Sequence, residues 1–221
     1  MVDTKIDFAV IGAGPAGMAA ATLGAELGLD TLLIDEQNAP GGQMYRGIER
    51  AEDDSPLGDD YLAGRQLVGQ LHASGVTYRP GTTVWHIDPD GTASLVSPGG
   101  SGTIRARRVL IATGAIERPV PIPGWTLPGV MTAGAAQIML KTGDLIPAGR
   151  TVLAGQGPLL WLVAAHLIRA GAPPVLILET APHRNYHAAA RLLPGGNHGP
   201  APQLTQVKAI VVIMFFVATD E

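Results

Sequence analysis

The sequence predicts an α/β fold: two Rossmann-like dinucleotide-binding domains with a small antiparallel β-meander between their motifs. Three observations predict it. A short apolar strand runs straight into Gly12-x-Gly14-x-x-Gly17 at the start of a helix. The same strand, Gly-x-Gly, helix order recurs from Arg150 to Ala170. Between the two, the hydrophobic period shortens to that of strands.

The first unit, Ile6 to Asp35, reads IDFAVIGAGPAGMAAATLGAELGLDTLLID. Gly12 suits the tight turn, Gly14 lets backbone approach a pyrophosphate, and Gly17 lets the helix lie against the strand. Pro15 fits the first helical turn, where its missing N–H is not needed. With Ala16 beside it, this helix start presents free N–H groups and a positive dipole end to phosphates. A second strand, Thr31 to Ile34, delivers Asp35 about 18 residues beyond Gly17, where an acid holds ribose hydroxyls. Glu36, one place on, is the alternative. Because strand, helix, second strand and acid stand in register, a dinucleotide site is favoured over mere tight packing.

The loop Gln37 to Gln43 carries the pair Gly41-Gly42, which either permits a second close backbone approach to a ligand or simply makes a turn. Arg46 follows as a cation for phosphates or an electron-rich ring. Asp59 is expected to N-cap a helix through about Ser74, with Leu62, Leu67 and Leu71 on a shared face. Thr82 to Ile87, Ala93 to Ser97 and Thr103 to Ala112, separated by Asp90-Gly91 and by Pro98 to Gly102, read as the meander. The last run ends at Ala112-Thr113-Gly114, and a meander feeding an apolar strand ending in ATG points to a flavoprotein. Glu117 to Gly129 is proline-rich and is read as the interdomain crossing. Thr132 is expected to cap a helix from Ala133 to Leu140.

In the second unit, strand Arg150 to Gln156, helix Pro158 to Ala170 and strand Val175 to Leu178 repeat the opening. Gly155 and Gly157 match Gly12 and Gly14, but Leu160 replaces the third glycine, where its side chain is expected to push helix from strand or to clash near a pyrophosphate. Glu179 lies one residue further from Gly155 than Asp35 lies from Gly12. An altered site for an adenine nucleotide (NAD or ATP) and a purely structural copy both stand open.

Composition sets the limits. With 46% hydrophobic and 15% charged residues over 221 positions, the chain is globular. A net charge of −4 with scattered Lys and Arg argues against a nucleic-acid partner. There is no cysteine, hence no disulfide, CxxC pair or cysteine-held cluster within these residues. No secretory pattern precedes the first strand, which suggests the cytoplasm. The longest apolar run, Ala209 to Ala218, is too short to span a bilayer and is expected to be a buried strand or an exposed patch; peripheral association with a membrane is left open. His183 and His187, four apart, with His198 nearby, lack the accompanying carboxylates of a metal site, so no metal is expected. His72, His86 and His166 are isolated, and no residue is assigned as catalytic.

GAGPAG at 12 to 17, IDEQNAPGGQMYR at 34 to 46, LIATGAIERPVPIPGWTLPGVMTAGAAQ at 110 to 137 and LAGQGPLL at 153 to 160 together resemble one flavoprotein group. It comprises the FAD-binding subunit of hydrogen cyanide synthase and the similar alpha subunits of opine oxidases and hydroxyproline dehydrogenases. The resemblance implies FAD on the first domain, with Gly12, Gly14, Gly17, Asp35, Gly42, Gln43, Thr113 and Gly114 in contact with it. It also implies oxidation of an amine or amino-acid-like substrate beside a second flavoprotein subunit. The expected division is 1–118 for the first FAD half-domain, 119–194 for an incomplete second domain and 195–221 for a divergent tail. The group's returning FAD segment has no counterpart after Pro194, which implies a truncated copy. The competing readings are an NAD(P)H-dependent reductase and a non-catalytic nucleotide-binding subunit.

Overall fold

The computed structural model describes residues 5–117, 119–180 and 212–217, and the chain divides after Ile116 into two compact units. In the first, β1 (Lys5–Ile11), α1 (Pro15–Glu26) and β2 (Thr31–Ile34) form the expected opening. A 3-10 turn (Ile48–Arg50), α2 (Asp59–Leu62) and α3 (Gly64–Ala73) precede β3 (Thr77–Arg79), β4 (Thr83–Ile87), β5 (Thr92–Ser97) and β6 (Gly100–Ile111). All six strands belong to one sheet, in the order β3-β2-β1-β6-β5-β4. The meander is therefore an extension of the parallel sheet. The first half of β6 pairs antiparallel with β5, and its second half pairs parallel with β1, Ile11 opposite Ile111.

Every residue of β2 is buried, as a central parallel strand covered on both faces must be. Leu32 and Ile34 join Ile6, Ala9, Ala93, Leu95, Ile104 and Ala106 in a core shared by the parallel and antiparallel parts. Helix α1 packs on β1 and β2 and against α3. The α2–α3 segment differs from expectation in two ways. Gly58, with φ 80°, is the N-cap, and Asp59 and Asp60 sit in the first turn, where carboxylates favour the positive helix end. The helix breaks at Ala63-Gly64, and the buried face is Tyr61, Gly64, Val68 and Leu71, with Leu62 and Leu67 half-buried beside it. Gly64 is needed there because a Cβ would lie 2.4 Å from the ring of Tyr45.

The second unit contains β7 (Val130–Thr132), α4 (Ala133–Gly143), β8 (Arg150–Gly155), α5 (Pro158–Arg169), β9 (Leu176–Glu179) and β10 (Val212–Val217). The strand order is β7-β10-β8-β9. The apolar run at 209–218 thus supplies a strand: β10 lies antiparallel to β8, Val212 opposite Gly155, and to β7, Ile213 opposite Thr132. Thr132 caps α4, its hydroxyl accepting from Ala135 N–H at 3.4 Å. Glu117 adds a second cap that the sequence did not announce. Its Oε2 accepts from Gly134 N–H at 2.8 Å, while Oε1 is buried with no hydrogen-bond partner among the described residues.

Leu160, read from the sequence as an obstruction beside the glycine turn, takes a core position in the structure. It is fully buried in a core with Ala133, Ala136, Leu153, Val163, Ala164 and Leu167. That core covers one side of β8, where Thr151, Leu153 and Gly155 are buried and Val152 and Ala154 only half so. Leu176 and Leu178 of β9 remain 47% exposed, in contrast with the buried β2.

Candidate functional site

The site is built where β1 ends. Three glycines meet there for three different reasons. A Cβ on Gly12, whose φ is +104°, would lie 2.5 Å from the carbonyl oxygen of Ala112, and one on Gly17 would lie 1.8 Å from that of Gly12. Both are required by the protein's own packing of turn, helix and β6. Gly14 is not: a Cβ there would meet only the Cα of Gly42, at 3.9 Å, an ordinary contact. Space for a side chain is present but left empty in front of the helix. This is the cradle that a phosphate group would fill.

Helix α1 begins at the N-cap Gly14, with Pro15 in the first turn, no side-chain cap and no acidic residue. No side chain of its own first turn caps its positive end. The second loop closes on the first from the other side. Gly41 N–H donates to Ala13 carbonyl at 2.8 Å, and a Cβ on Gly42 would lie 2.8 Å from Gly14 Cα. The 41–46 loop is tethered by Tyr45, whose ring lies against Gly64, and by Tyr61, whose hydroxyl donates to Arg46 carbonyl at 2.8 Å. Ala112 N–H donates to Ile11 carbonyl at 2.8 Å, which brings Thr113 and Gly114, the latter with φ +74°, to the same C-terminal end of the paired strands. Gly12, Gly14, Pro15, Ala16, Gly17, Gly42, Thr113 and Gly114 are thus brought together around the glycine turns. Gln43 follows Gly42 in this loop and is exposed.

Asp35 and Glu36 are used differently. Asp35 is 8% exposed, and both its oxygens already accept from backbone: Oδ2 from Ala13 N–H, Oδ1 from Gln37 N–H at 2.7 Å. Glu36 is exposed, with Oε1 accepting from Gln37 Nε2 at 3.3 Å. Arg46 is not a lone cation: its NH1 donates to Gln37 Oε1 at 3.0 Å. Gln37 and the two tyrosine tethers are residues that sequence reasoning passed over. Periodicity carries no signal for side chains that act through loops.

Tyr78, on β3, has a buried hydroxyl without a hydrogen-bond partner among the described residues. Its pKa is pushed well above the ordinary tyrosine range by burial, and further by the carboxylates of Asp35 and Glu49.

The second unit reproduces the first in register but not in the turn. Glu179 lies directly opposite Gly155, and in β1–β2 the pairing Ile11 with Ile34 puts Asp35 opposite Gly12 in the same way. The extra residue in the sequence spacing is absorbed before β9. The N-cap Gly157, however, has φ 88°, where Gly14 has φ −74°. Gly155 carbonyl is occupied by both N–H and hydroxyl of Thr180, at 2.8 and 3.0 Å.

Of the isolated histidines, His72 meets Glu49 at 3.1 Å, His86 meets Asp88 at 3.2 Å, and His166 is buried with Nδ1 3.3 Å from Gln137. His183, His187 and His198 lie outside the described residues, as do the expected domain limit at 194 and most of the divergent tail. Among the described residues no cluster that could hold a metal ion is present, and no helix is long and apolar enough to cross a membrane.

Residues 6–189 match the family described as pyridine nucleotide-disulphide oxidoreductase. An opine oxidase subunit of Rhizobium meliloti (strain 1021) is 46% identical over 198 residues, which cover 89% of this chain and 43% of that protein. The hydrogen cyanide synthase subunit HcnB of Pseudomonas aeruginosa is 40% identical over 171 residues, covering 73% of this chain and 36% of that one. The crystal structure of L-proline dehydrogenase from P. horikoshii superimposes with a TM-score of 0.65 at 28% identity, over 80% of this chain and 36% of that one. The chain spans less than half the length of the curated relatives it matches.

Proposed function

The chain belongs to the pyridine nucleotide-disulphide oxidoreductase family, and from that premise we propose that it binds FAD at the first glycine turn as one subunit of an oxidoreductase. The observation that carries this reading is the uncapped start of α1, with open space at Gly14 and the backbone of Gly42 facing it. The N–H groups at Ala16 and Gly17 hold the pyrophosphate, and Gly14, Pro15, Gly42 and Gln43 bound the same groove. Thr113 and Gly114 offer backbone at the end of β6 beside it. Glu36, rather than the internally engaged Asp35, receives the ribose hydroxyls. FAD would supply the electron-accepting ring, and the chain supplies binding, orientation and electrostatics.

The substrate is an amine or amino-acid-like molecule, a class supported by relatives named for opines and L-proline. Those named as subunits support a partner chain, which we take to be a second flavoprotein, and the exposed apolar residues Trp161, Leu162, Ile168, Leu176 and Leu178 supply surface for it. With no cysteine among its residues, the chain cannot itself carry the disulphide chemistry in the family's name. The turn at Gly157, built unlike that at Gly14, and the missing third glycine favour a structural role for Gly155, Gly157 and Glu179 over an NAD or ATP site. Electrons therefore pass to an acceptor other than NAD.

The test is the visible spectrum of the purified chain titrated with FAD, then anaerobic addition of candidate amines with and without a second flavoprotein chain. Saturable, stoichiometric flavin binding that Gly14→Val abolishes is expected. Flavin uptake unaffected by Gly14→Val overturns the assignment, and rapid bleaching by micromolar NADH overturns the choice of acceptor.

A further inference from the structure

We infer that Arg46 is a positioning residue of the nucleotide site: acting through Gln37, it holds the Glu36 carboxylate ready for a ribose. This rests on the FAD reading above and goes beyond it by assigning Arg46 a role that needs no contact with the cofactor.

Gln37 is engaged on both its backbone and its side chain. Its N–H donates to Asp35 Oδ1 at 2.7 Å, and its carbonyl accepts from Gly81 N–H at 3.0 Å. Its side-chain Oε1 accepts from Arg46 at 3.0 Å, and its Nε2 donates to Glu36 Oε1 at 3.3 Å. The first contact closes an Asx turn, which puts Glu36 at the outer corner directly after the buried Asp35. A guanidinium can only donate, so whatever it touches on Gln37 must be the amide oxygen. That choice leaves the amide nitrogen, a donor, on the side of Glu36. Arg46 and the acceptor-only Glu36 carboxylate thus fix the amide from its two ends.

Arg46 itself is fixed. Its carbonyl is held by the Tyr61 hydroxyl at 2.8 Å, and its Nε is buried without a hydrogen-bond partner among the described residues. With Glu36 Oε1 engaged by Gln37, Oε2 is the acceptor presented to a ligand, and ribose hydroxyls are donors of the matching kind. Without Arg46 the Gln37 amide loses the bond that anchors its oxygen, and its hold on Glu36 Oε1 loosens.

The experiment is a double-mutant cycle read as FAD dissociation constants, by quenching of flavin fluorescence, on the whole chain. The variants are R46A, R46K, E36Q and R46A/E36Q, each with its unfolding midpoint. R46A and E36Q should each weaken FAD binding by up to about tenfold. The double variant should be no weaker than E36Q alone, and R46K, which still donates to Gln37, should recover most of the loss. Additive penalties would mean that Arg46 acts on the cofactor directly and would overturn the inference, as would an R46A variant that binds like wild type. An R46A loss that persists undiminished on the E36Q background with a lowered unfolding midpoint makes the role structural and overturns it too. A wild-type chain that takes up no FAD refutes the cofactor reading and this inference with it.

Discussion

The amide of Ala13, in the middle of the first glycine turn, donates to the carboxylate of Asp35, the residue that follows β2. The other carboxylate oxygen takes Gln37 N–H at 2.7 Å. An acid so occupied fastens the turn to the loop beyond β2 and has little left to offer a ligand. Asp35→Ala leaves the Ala13 and Gln37 amides without their acceptor, at a cost of about 1–3 kcal/mol for each one left buried and unmade. Asp35→Asn keeps one acceptor oxygen and should cost less. Urea unfolding of the two variants checks the order. A stability for Asp35→Ala equal to wild type, with only FAD binding impaired, would return Asp35 to the ribose.

Gly14 and Gly17 should fail in different ways. A Cβ at Gly14 meets nothing closer than 3.9 Å, so Gly14→Ala should fold with an unchanged unfolding midpoint and still bind FAD poorly, because the methyl fills the cradle. At Gly17 the same methyl would stand 1.8 Å from the Gly12 carbonyl oxygen, so Gly17→Ala should lose the fold of the first unit. Circular dichroism melts beside flavin titrations separate the two outcomes.

Restoring the missing glycine in the second unit should not restore a nucleotide site. Leu160 is fully buried against Leu153, Val163 and Leu167, so Leu160→Gly removes a core side chain from a helix and should cost about 3–5 kcal/mol. Equilibrium unfolding measures the loss. An increase in NADH affinity without loss of stability would contradict the structural reading of this turn.

Stability should fall at high pH through Tyr78. Its folded pKa lies above the ordinary value because burial, and then the Asp35 and Glu49 carboxylates, disfavour the phenolate. Above pH about 10 the unfolded tyrosine releases its proton while the folded one keeps it, so the unfolded state binds fewer protons and is favoured as pH rises. Below that pH the group contributes no slope. Tyr78→Phe should flatten the decline without loss of stability at neutral pH, since the hydroxyl has no hydrogen-bond partner among the described residues. Unfolding midpoints across pH 8 to about 11 give the slope.

The sequence by itself determined the elements that local physics dictates. Glycine spacing, Pro15 and the apolar run Leu32 to Ile34 specify a strand, turn, helix and strand with no tertiary information, and the structure has them at those residues. Alternation separated by Gly-rich turns likewise specified the meander, and Thr132 the start of α4. Tertiary structure decided what those elements do to one another. Two adjacent acids look alike in sequence, but only the approach of the Ala13 amide turns Asp35 inward and leaves Glu36 outside. Leu160 reads as an obstruction beside a glycine motif, yet the helix presents it to the core, because a side chain's direction depends on helix rotation against the sheet. Glu117 reads as a loop residue and caps α4, and 212–217 pairs with both β7 and β8. Each of these is a contact between residues far apart in the chain. Periodicity and propensity describe only near neighbours, so such contacts come into being when the chain closes on itself.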